Sequence, residues 1–589
     1  MAKDFLLGPV LSFRGLGEND TWKVTALIGI KPGAPEPLLQ VEGRDCPAPT
    51  QLLATRKARY LRYDLSCQQQ KAERRVGYGV AGGPVWHFTV PGKHLAPRMA
   101  YVSCNGFSDP TVMRSHVSQA NAVWEDLLYS HDKLVRIRNP GPGDKLLDKE
   151  QLWHEVRIHD KGLQRFHLLL MGGDQIYFDS IWHQLDELKK WIGLSRDQQL
   201  NFSVSKVLDE KIAAYYFDLY AERWLPPGRR PWGSEPNRDA ADAMARIPTV
   251  MMWDDHDIFD GWGSYTPEMQ RSPLFQRLFH HARRAFWVFQ MQQVLDDLPA
   301  LTDSTPTGFS QQDPLYAAIS WKQRLAGDPL ALPLLDGQPG YTWAFRAGPL
   351  AILVADLRTE RSRTQVFGSS TWSRLKEWLN GLEDKGEFHH PGTRCQHLLL
   401  MSSVPVVHPK LTLAETALDG FGQDHVLDSS ADDLKDHWSH DDHEGERTRL
   451  LEVLFDTARS KKVRVTLLSG DVHVAARGGA FRRDQPASEG WGLIPQFTAS
   501  AVVHPSLKGW LEQLFLATLN KCARTPQQAG PQYQVEMMLF PGHNQYVMPA
   551  RNWLALELEE AHDAKLWATW RCEGEKMFSN HLHTVPPVR

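Results

Sequence analysis

The sequence predicts an α/β protein in which a layered domain with buried parallel strands follows an N-terminal antiparallel β-sandwich. Three observations carry this prediction. Period-two alternation dominates roughly the first hundred residues. Continuous apolar runs separated by amphipathic helical stretches dominate the remainder, and the runs repeatedly end in loops rich in aspartate and histidine.

At 589 residues the chain has room for more than one core, and we expect one large domain with an accessory one. Hydrophobic residues at 42%, charged residues at 23% and 21 tryptophans describe a globular protein with a substantial interior. A formal charge of −4 argues against a nucleic-acid footprint or a polybasic membrane surface, so a small-molecule partner is expected. The six cysteines, at 46, 67, 104, 395, 522 and 572, contain no CxxC pair. They resemble neither a disulfide framework nor a structural zinc site, which favours a reducing compartment. The opening MAKDFLLGPVLSFRG carries Asp4 where a signal peptide wants positive charge, and Gly8-Pro9 breaks its apolar stretch. The arginine pairs at 74–75 and 229–230 are internal and precede no secretory apolar region. No run approaches the roughly 18 apolar residues of a membrane span, and a cytoplasmic location is expected.

In WKVTALIGI, Trp22, Val24, Ala26, Ile28 and Ile30 share one face, and in VWHFTV so do Trp86, Phe88 and Val90. Half-buried antiparallel strands follow from this pattern. With turn-rich links such as KPGAPEP and AGGP, residues 1–97 read as a β-sandwich, expected to serve self-association or substrate recognition. GYGVAG at 77–82 matches G-x-G-x-x-G, but a dinucleotide loop needs a helix after it. VWHFTV follows instead, so a hairpin is the better reading.

Beyond residue 97 come MAYVSC (99–104), FHLLLM (166–171), IPTVMMW (247–253), LAILVA (350–355), HLLLM (397–401) and VRVTLL (463–468), each read as a strand buried on both faces. The recurrence of HLLLM reads as two similar strands, not a repeat. IWHQLDELKKWIG, FQRLFHHARRAFWVFQMQQVLDDL, TWSRLKEWLNGL and ERTRLLEVLFDTARS place apolar residues at three- and four-residue spacing and read as helices. The large domain thus runs over 98–575, with helical insertions around 183–245 and 264–345 and a tail at 576–589.

The strand ends carry the chemistry. MAYVSC ends at Cys104; FHLLLM leads to Gly173-Asp174-Gln175-Ile176-Tyr177; IPTVMMW leads to Asp254-Asp255-His256-Asp257; VTLLS leads to Gly470-Asp471-Val472-His473. Ligands of α/β folds bind in the crevice at the carboxyl ends of strands. Anions so gathered repel one another unless cations hold them. Taken singly, each residue has a plainer explanation: Asp174 as a helix N-cap, Cys104 as a small buried hydrophobe, Tyr177 as packing. Their joint appearance at four strand ends is what those explanations do not predict. WSHDDHE (438–444) is richer in histidine, but no strand delivers it to a crevice, and Asp441 and Asp442 suit the first turn of the following helix. It enters the expectations only as a substrate loop. His408 and His504, each before a proline, read as structural or as pocket-lining.

Gly173-Asp174-x-x-Tyr177, Trp253-Asp254-Asp255-His256-Asp257, Asp356-x-Arg358 with Arg361, and Ser469-Gly470-Asp471-Val472-His473, in that order, resemble the PhoD-like (alkaline phosphatase D) branch of the calcineurin-like metallophosphatases. The resemblance covers roughly residues 98–575. The wider superfamily carries D-x-H, G-D-x-x-D, G-N-H and G-H-x-H. Here Cys104, Tyr177, Asp255 and Asp471 stand as replacements typical of the branch.

The resemblance implies a four-layer α/β/β/α sandwich and a dinuclear metal centre of Fe(III) with Ca2+. Cys104, Tyr177, His473 and one oxygen of Asp174 form a donor set suited to a transition ion. A bridging Asp174 with Asp255 and Asp471 suits calcium, magnesium or manganese, with Asp254 as a further ligand or a buttress. The implied activity is phosphoric ester hydrolysis, as phosphodiesterase or phosphatase, by in-line attack of an activated water on phosphorus, with His256 as general acid. Arg358 and Arg361 are candidate clamps on phosphoryl oxygens, with surface ion pairing as the alternative. Members of this branch are often exported, whereas no export signal is read here, so an extracellular role is not carried over with the resemblance and an intracellular substrate is expected. Three other readings stand beside this one. A phospholipid-directed phosphodiesterase, with a phospholipase D-like outcome, would use the tryptophans and the 264–345 insertion as an apolar pocket. A serine acyl hydrolase using Ser469 or Ser103 lacks the GxSxG elbow. A noncatalytic scaffold would recruit a partner through the β-sandwich.

Overall fold

The computed structural model describes residues 5–107, 120–132, 165–226, 239–299, 317–382, 394–410, 438, 443–485, 490–504, 510–559 and 564–588. Two large sheets and a small one organise them. All six expected apolar runs are strands. Met99–Val102, Leu168–Gly172 and Thr249–Met252 lie side by side and parallel in the first sheet, with Tyr101 opposite Leu170 and Leu170 opposite Val250. Leu350–Val354, His397–Met401 and Arg464–Ser469 lie parallel in the second, joined by a fourth parallel strand, Leu493–Ala499. Antiparallel strands extend each sheet to 11 and 9 members.

Alternation within the second sheet fixes the layering. Leu350, Ile352, Val354, Leu399, Met401, Leu468 and Phe497 join the apolar core that contains the first sheet. Their neighbours Ala351, Leu353, Leu398, Leu400, Leu467 and Ile494 point the other way, into a second core with Trp372, Leu375, Leu454 and Phe455. Those last four residues lie on the helices Ser369–Asn380 and Glu444–Lys461. The two sheets therefore pack face to face, with helices on the outside. On the far side of the first sheet, Pro273–Phe289 and Lys206–Arg223 pack on each other, with Tyr220 stacked on Phe289 at 4.4 Å and Tyr60 edge-on to Phe289 at 4.8 Å. This is the four-layer α/β arrangement that the resemblance implies.

The N-terminal antiparallel structure is present, and its strands are continuous with the large sheet. Phe5–Gly17 pairs in parallel with Thr249–Met252 (Ser12 opposite Thr249), and Thr21–Ile30, Arg59–Asp64 and Thr50–Ala54 follow outward. Leu39–Val41, Arg44–Asp45, Arg74–Val80 and Val85–Val90 form the four-stranded sheet. Leu27, Tyr78 and Phe88 share one core with Leu170 and Val250. Thr21–Ile30 departs from the expected half-buried pattern: from Val24 onward every residue is buried. Its second face is covered, and Thr25 Oγ1 donates to Gln292 Oε1 at 2.7 Å. Arg62 ties the same region to Asp328 through a bidentate pair at 2.8 and 2.7 Å, and also donates to the Gln292 carbonyl.

GYGVAG forms a strand end and a hairpin turn, as expected. A Cβ on Gly79 would meet the Pro84 carbonyl oxygen at 2.3 Å, so only glycine lets the two strands approach there. The segment expected as a tail supplies an edge strand, Ser579–Val585, paired along its length with Leu566–Cys572. Of the 438–444 cluster, residues 439–442 lie outside the described residues. Glu444 and Glu446 occupy the first turn of their helix.

Candidate metal centre

Six parallel strands each place a polar side chain two residues beyond their last paired position. Val102 leads to Cys104, Gly172 to Asp174, Met252 to Asp254, Val354 to Asp356, Met401 to Ser403 and Ser469 to Asp471. Because the two sheets face one another, these ends meet. One donor oxygen from each of Asp174, Asp254, Asp255 and Asp471 lies within 4.8 Å of the others, and Asp174, Asp255 and His256 form an overlapping group. Cys104 Sγ sits 3.4 Å from Asp174 Oδ2, and the Tyr177 ring stacks on His256 at 4.2 Å.

The local backbone is bent to make this possible. Cys104, Asp174, Asp471 and His473 all occupy the left-handed region, at φ of 54°, 55°, 68° and 52°. Non-glycine residues are held there only when surrounding contacts outweigh the strain. Some of those contacts are visible. Ser500 Oγ lies 3.0 Å from Cys104 Sγ and accepts from the His473 backbone N at 3.1 Å. The His504 ring lies flat on His473 at 3.6 Å, and its backbone N donates to the Cys104 carbonyl.

Burial acts on Cys104, Asp174, Tyr177 and His473 in the direction that calls for a cation. The Cys104 thiol, the Tyr177 phenol and the Asp174 carboxyl are all pushed well above their ordinary ranges, first by desolvation. For Cys104 the charge of Asp174 adds to this. For Asp174 the imidazole of His256 opposes it, while Asp254 and Asp255 reinforce it. Burial drives His473 well below its usual value, with His504 next in effect, which leaves a neutral imidazole, the form that binds metals. Asp174 Oδ1 is buried without a hydrogen-bond partner among the described residues, as is His473 Nδ1. Buried polar atoms are rarely left so, and a metal ligand atom is one of the few exceptions. The residues present therefore fit a bound cation.

His256 has a different setting. Its Nδ1 lies 2.9 Å from Asp179 Oδ2, and Asp179 Oδ1 is fixed by the Asp260 backbone N at 2.7 Å. Burial disfavours the imidazolium, but Asp179 and Asp255 outweigh that and hold its pKa well above the ordinary histidine value. The arginines separate in role. Arg358 is fully buried, with Nε on Asp254 Oδ1, Nη2 3.2 Å from Asp255 Oδ1 and Nη1 3.0 Å from the Trp262 carbonyl. Its guanidinium is thus occupied by the site's own carboxylates. Arg361 is also buried, with its stem so close to Gly263 that a Cβ there would come within 2.6 Å of Arg361 Cγ. Asp356 is not gathered with the cluster. Its oxygens accept from Trp253 Nε1 and from the backbone N of Tyr341, Arg358 and Thr359, shaping the turn that delivers Arg358.

Asp179, Ser403, Ser500 and the stacking of His504 were not expected from the sequence. Ser403 Oγ donates to Asp254 Oδ1 at 2.9 Å from the same post-strand position as the candidate ligands, so the end of HLLLM carried a signal that the others made legible. His408 is buried, and its backbone carbonyl accepts from Gln527.

Two facing sheets with acidic groups and an imidazole at their strand ends define a candidate metallohydrolase centre. A family model described as PhoD related phosphatase matches residues 118–307 and 417–530, slightly more than half of the chain, and the protein belongs to that family. The matched residues include Asp174, Tyr177, Asp254, Asp255, His256, Asp471 and His473, while Cys104, Arg358 and Arg361 fall outside them. The chain is 27% identical over 454 residues to the uncharacterized protein YGR266W of Saccharomyces cerevisiae, covering 71% of this chain and 56% of that protein. It thus spans about half the length of that curated relative. A solved structure, described as the structure of PhoD, superposes with a TM-score of 0.49 at 13% identity over 99% of this chain and 92% of that one.

Proposed function

We propose that the protein is a metal-dependent phosphoric ester hydrolase acting on a small-molecule phosphate ester, with a dinuclear centre held by Cys104, Asp174, Tyr177, Asp254, Asp255, Asp471 and His473. The observation that supports this most directly is the meeting of four carboxylates within 4.8 Å in a buried crevice. One guanidinium, that of Arg358, pairs with two of them. Thiolate, phenolate and imidazole donors suit Fe(III), and the all-oxygen side suits calcium, with magnesium or manganese as alternatives. Such a pair of ions, when bound, supplies Lewis acidity toward a water and the phosphoryl oxygens.

The remaining steps belong to the chain. Asp174 would be the ligand common to both ions. Arg358 holds Asp254 and Asp255 in place, which leaves the nonbridging oxygens to Arg361 on the same turn. His256, with Nδ1 fixed by Asp179, directs Nε2 and its proton at the departing oxygen as general acid. The family membership supports an enzyme, and the six free cysteines suit a reducing compartment, which we take to be the cytoplasm. Among the described residues no helix is long and apolar enough to cross a membrane.

Hydrolysis of bis(p-nitrophenyl) phosphate and of a dialkyl phosphate diester, measured after reconstitution with iron and calcium or with manganese, tests the proposal. His256→Ala is expected to lower the rate by about 10²- to 10⁴-fold when an alkoxide leaves, and far less for p-nitrophenolate, which needs no proton. No hydrolysis of either ester by the reconstituted protein would contradict the assignment.

A further inference from the structure

Asp257 closes the Trp253–Asp257 motif, yet none of the roles above uses it. It is buried, and both of its carboxylate oxygens accept hydrogen bonds. Oδ1 accepts from the backbone N of Gln175 at 3.0 Å and of Ile176 at 2.8 Å, and from Gln290 Nε2 at 3.2 Å. Oδ2 accepts from the backbone N of Asp254 at 3.0 Å. Three of the four donors are main-chain groups, and they come from two different strand ends. Gln175 and Ile176 follow Asp174 on the loop after Leu168–Gly172, while Asp254 follows Thr249–Met252.

We infer that Asp257 is a positioning residue that locks the Asp174 loop to the Asp254–Asp255 loop and so sets the spacing of the carboxylates in the candidate centre. The two strands are hydrogen-bonded neighbours only as far as Gly172 and Met252. Beyond that point the main chains meet through the Phe178 N–H, which donates to the His256 carbonyl at 3.0 Å at the far end of the loops, and next to the carboxylates the Asp257 side chain bridges them by accepting from both. Asp174 itself holds a left-handed φ of 55°, and Gln175, which follows it directly, is one of the residues bonded to Asp257. Gln290 extends the bridge outward. It stands just beyond the helix Pro273–Phe289 and also donates to Tyr220 Oη at 2.9 Å, so the helical insertions brace the same point. Groups that orient metal ligands in this way typically alter metal affinity by about 10- to 100-fold when removed.

This inference rests on the metal-centre reading for its consequence, but the lock itself can be tested without metal. Asp257→Asn keeps the shape and replaces one acceptor oxygen with a donor that faces N–H groups. In the metal-free protein, amide exchange at residues 174–176 and at Asp254 is expected to accelerate by about tenfold or more while the two strands keep wild-type protection. With two equivalents of Mn2+, the wild type is expected to show the exchange-coupled electron paramagnetic spectrum of adjacent ions. The variant should show the six-line spectrum of isolated ions and bind Mn2+ about 10- to 100-fold more weakly. If Asp257→Asn does not fold, Asp257→Glu, which keeps the charge but lengthens the arm, is expected to uncouple the ions in the same way. Wild-type exchange rates in the variant would overturn the inference, as would a wild-type spectrum with unchanged Mn2+ affinity. Wild-type protein that binds no Mn2+ would instead overturn the metal-centre reading, and the exchange rates would still decide whether Asp257 is the lock.

Discussion

Replacing Arg358 by methionine should make the protein's stability depend more strongly on metal. The guanidinium has no solvent exposure, and the carboxylates it pairs with, Asp254 and Asp255, have side chains only 1% and 3% exposed. Removing one partner of so buried an ion pair costs about 3–5 kcal/mol, because the charges left behind are uncompensated. The lost hydrogen bond to the Trp262 carbonyl accounts for about 1 kcal/mol of that. Methionine retains most of the apolar stem, so packing changes little. When cations bind the carboxylates, only the carbonyl and packing losses remain, about 1–2 kcal/mol. The difference, about 2–3 kcal/mol, should appear as Mn2+ binding about 30- to 150-fold tighter in Arg358→Met than in the wild type, since the metal now supplies the missing charge. Urea unfolding of the metal-free and Mn2+-saturated forms of both proteins, with a direct Mn2+ titration, measures each arm of the cycle. Equal destabilisation with and without metal would refute the reasoning, because Arg358 would then not be the countercharge of this site.

Two further outcomes follow from buried acids. Glu360 is raised from 4.5 to about 7, first by desolvation, against a hydrogen bond from Thr371. Its folded form therefore holds a proton that the unfolded chain has released, so its stabilising effect is full below pH 4.5 and declines as pH rises through about 7. A shift of that size is worth about 3 kcal/mol, and Glu360→Gln should remove this decline in unfolding titrations between pH 5 and pH 8; a variant that follows the wild-type slope would show that other groups cause it. Asp179→Asn removes the carboxylate that most favours the imidazolium of His256. The acid form is then lost at lower pH, so the alkaline limb of the kcat profile for an alkyl ester should move downward by about one pH unit or more. An unmoved limb would mean that His256 is not the group that titrates in the rate.

What the sequence made legible follows from where local pattern is strong. Six apolar runs announced six buried strands, and the polar residues after them announced the crevice, because burial on both faces leaves no ambiguity in composition. Leu493–Ala499 escaped because Pro495, Gln496 and Thr498 interrupt its apolar character. Gln496 is nevertheless buried, since it bonds the main chain of Val406 and Val407 on both its oxygen and its nitrogen. With that strand missed, Ser500 and His504 had no visible route to Cys104. The continuity of the N-terminal strands with the large sheet hangs on one pair, Ser12 with Thr249, which no local pattern encodes. Ser579–Val585 reads as a tail because an edge strand leaves much of its surface partly exposed. Arg358 was visible as a cation, but whether it faces substrate or the site's own acids depends on contacts 103 and 104 residues away.

The central claim is the pair of metal ions, and elemental analysis of protein purified without chelators tests it most directly, beside a Cys104→Ala/Asp255→Ala double variant. The account predicts close to two ions per chain in the wild type, iron with calcium or another hard divalent ion, and loss of both in the variant. Wild-type protein that carries no metal and takes up none on reconstitution would contradict it.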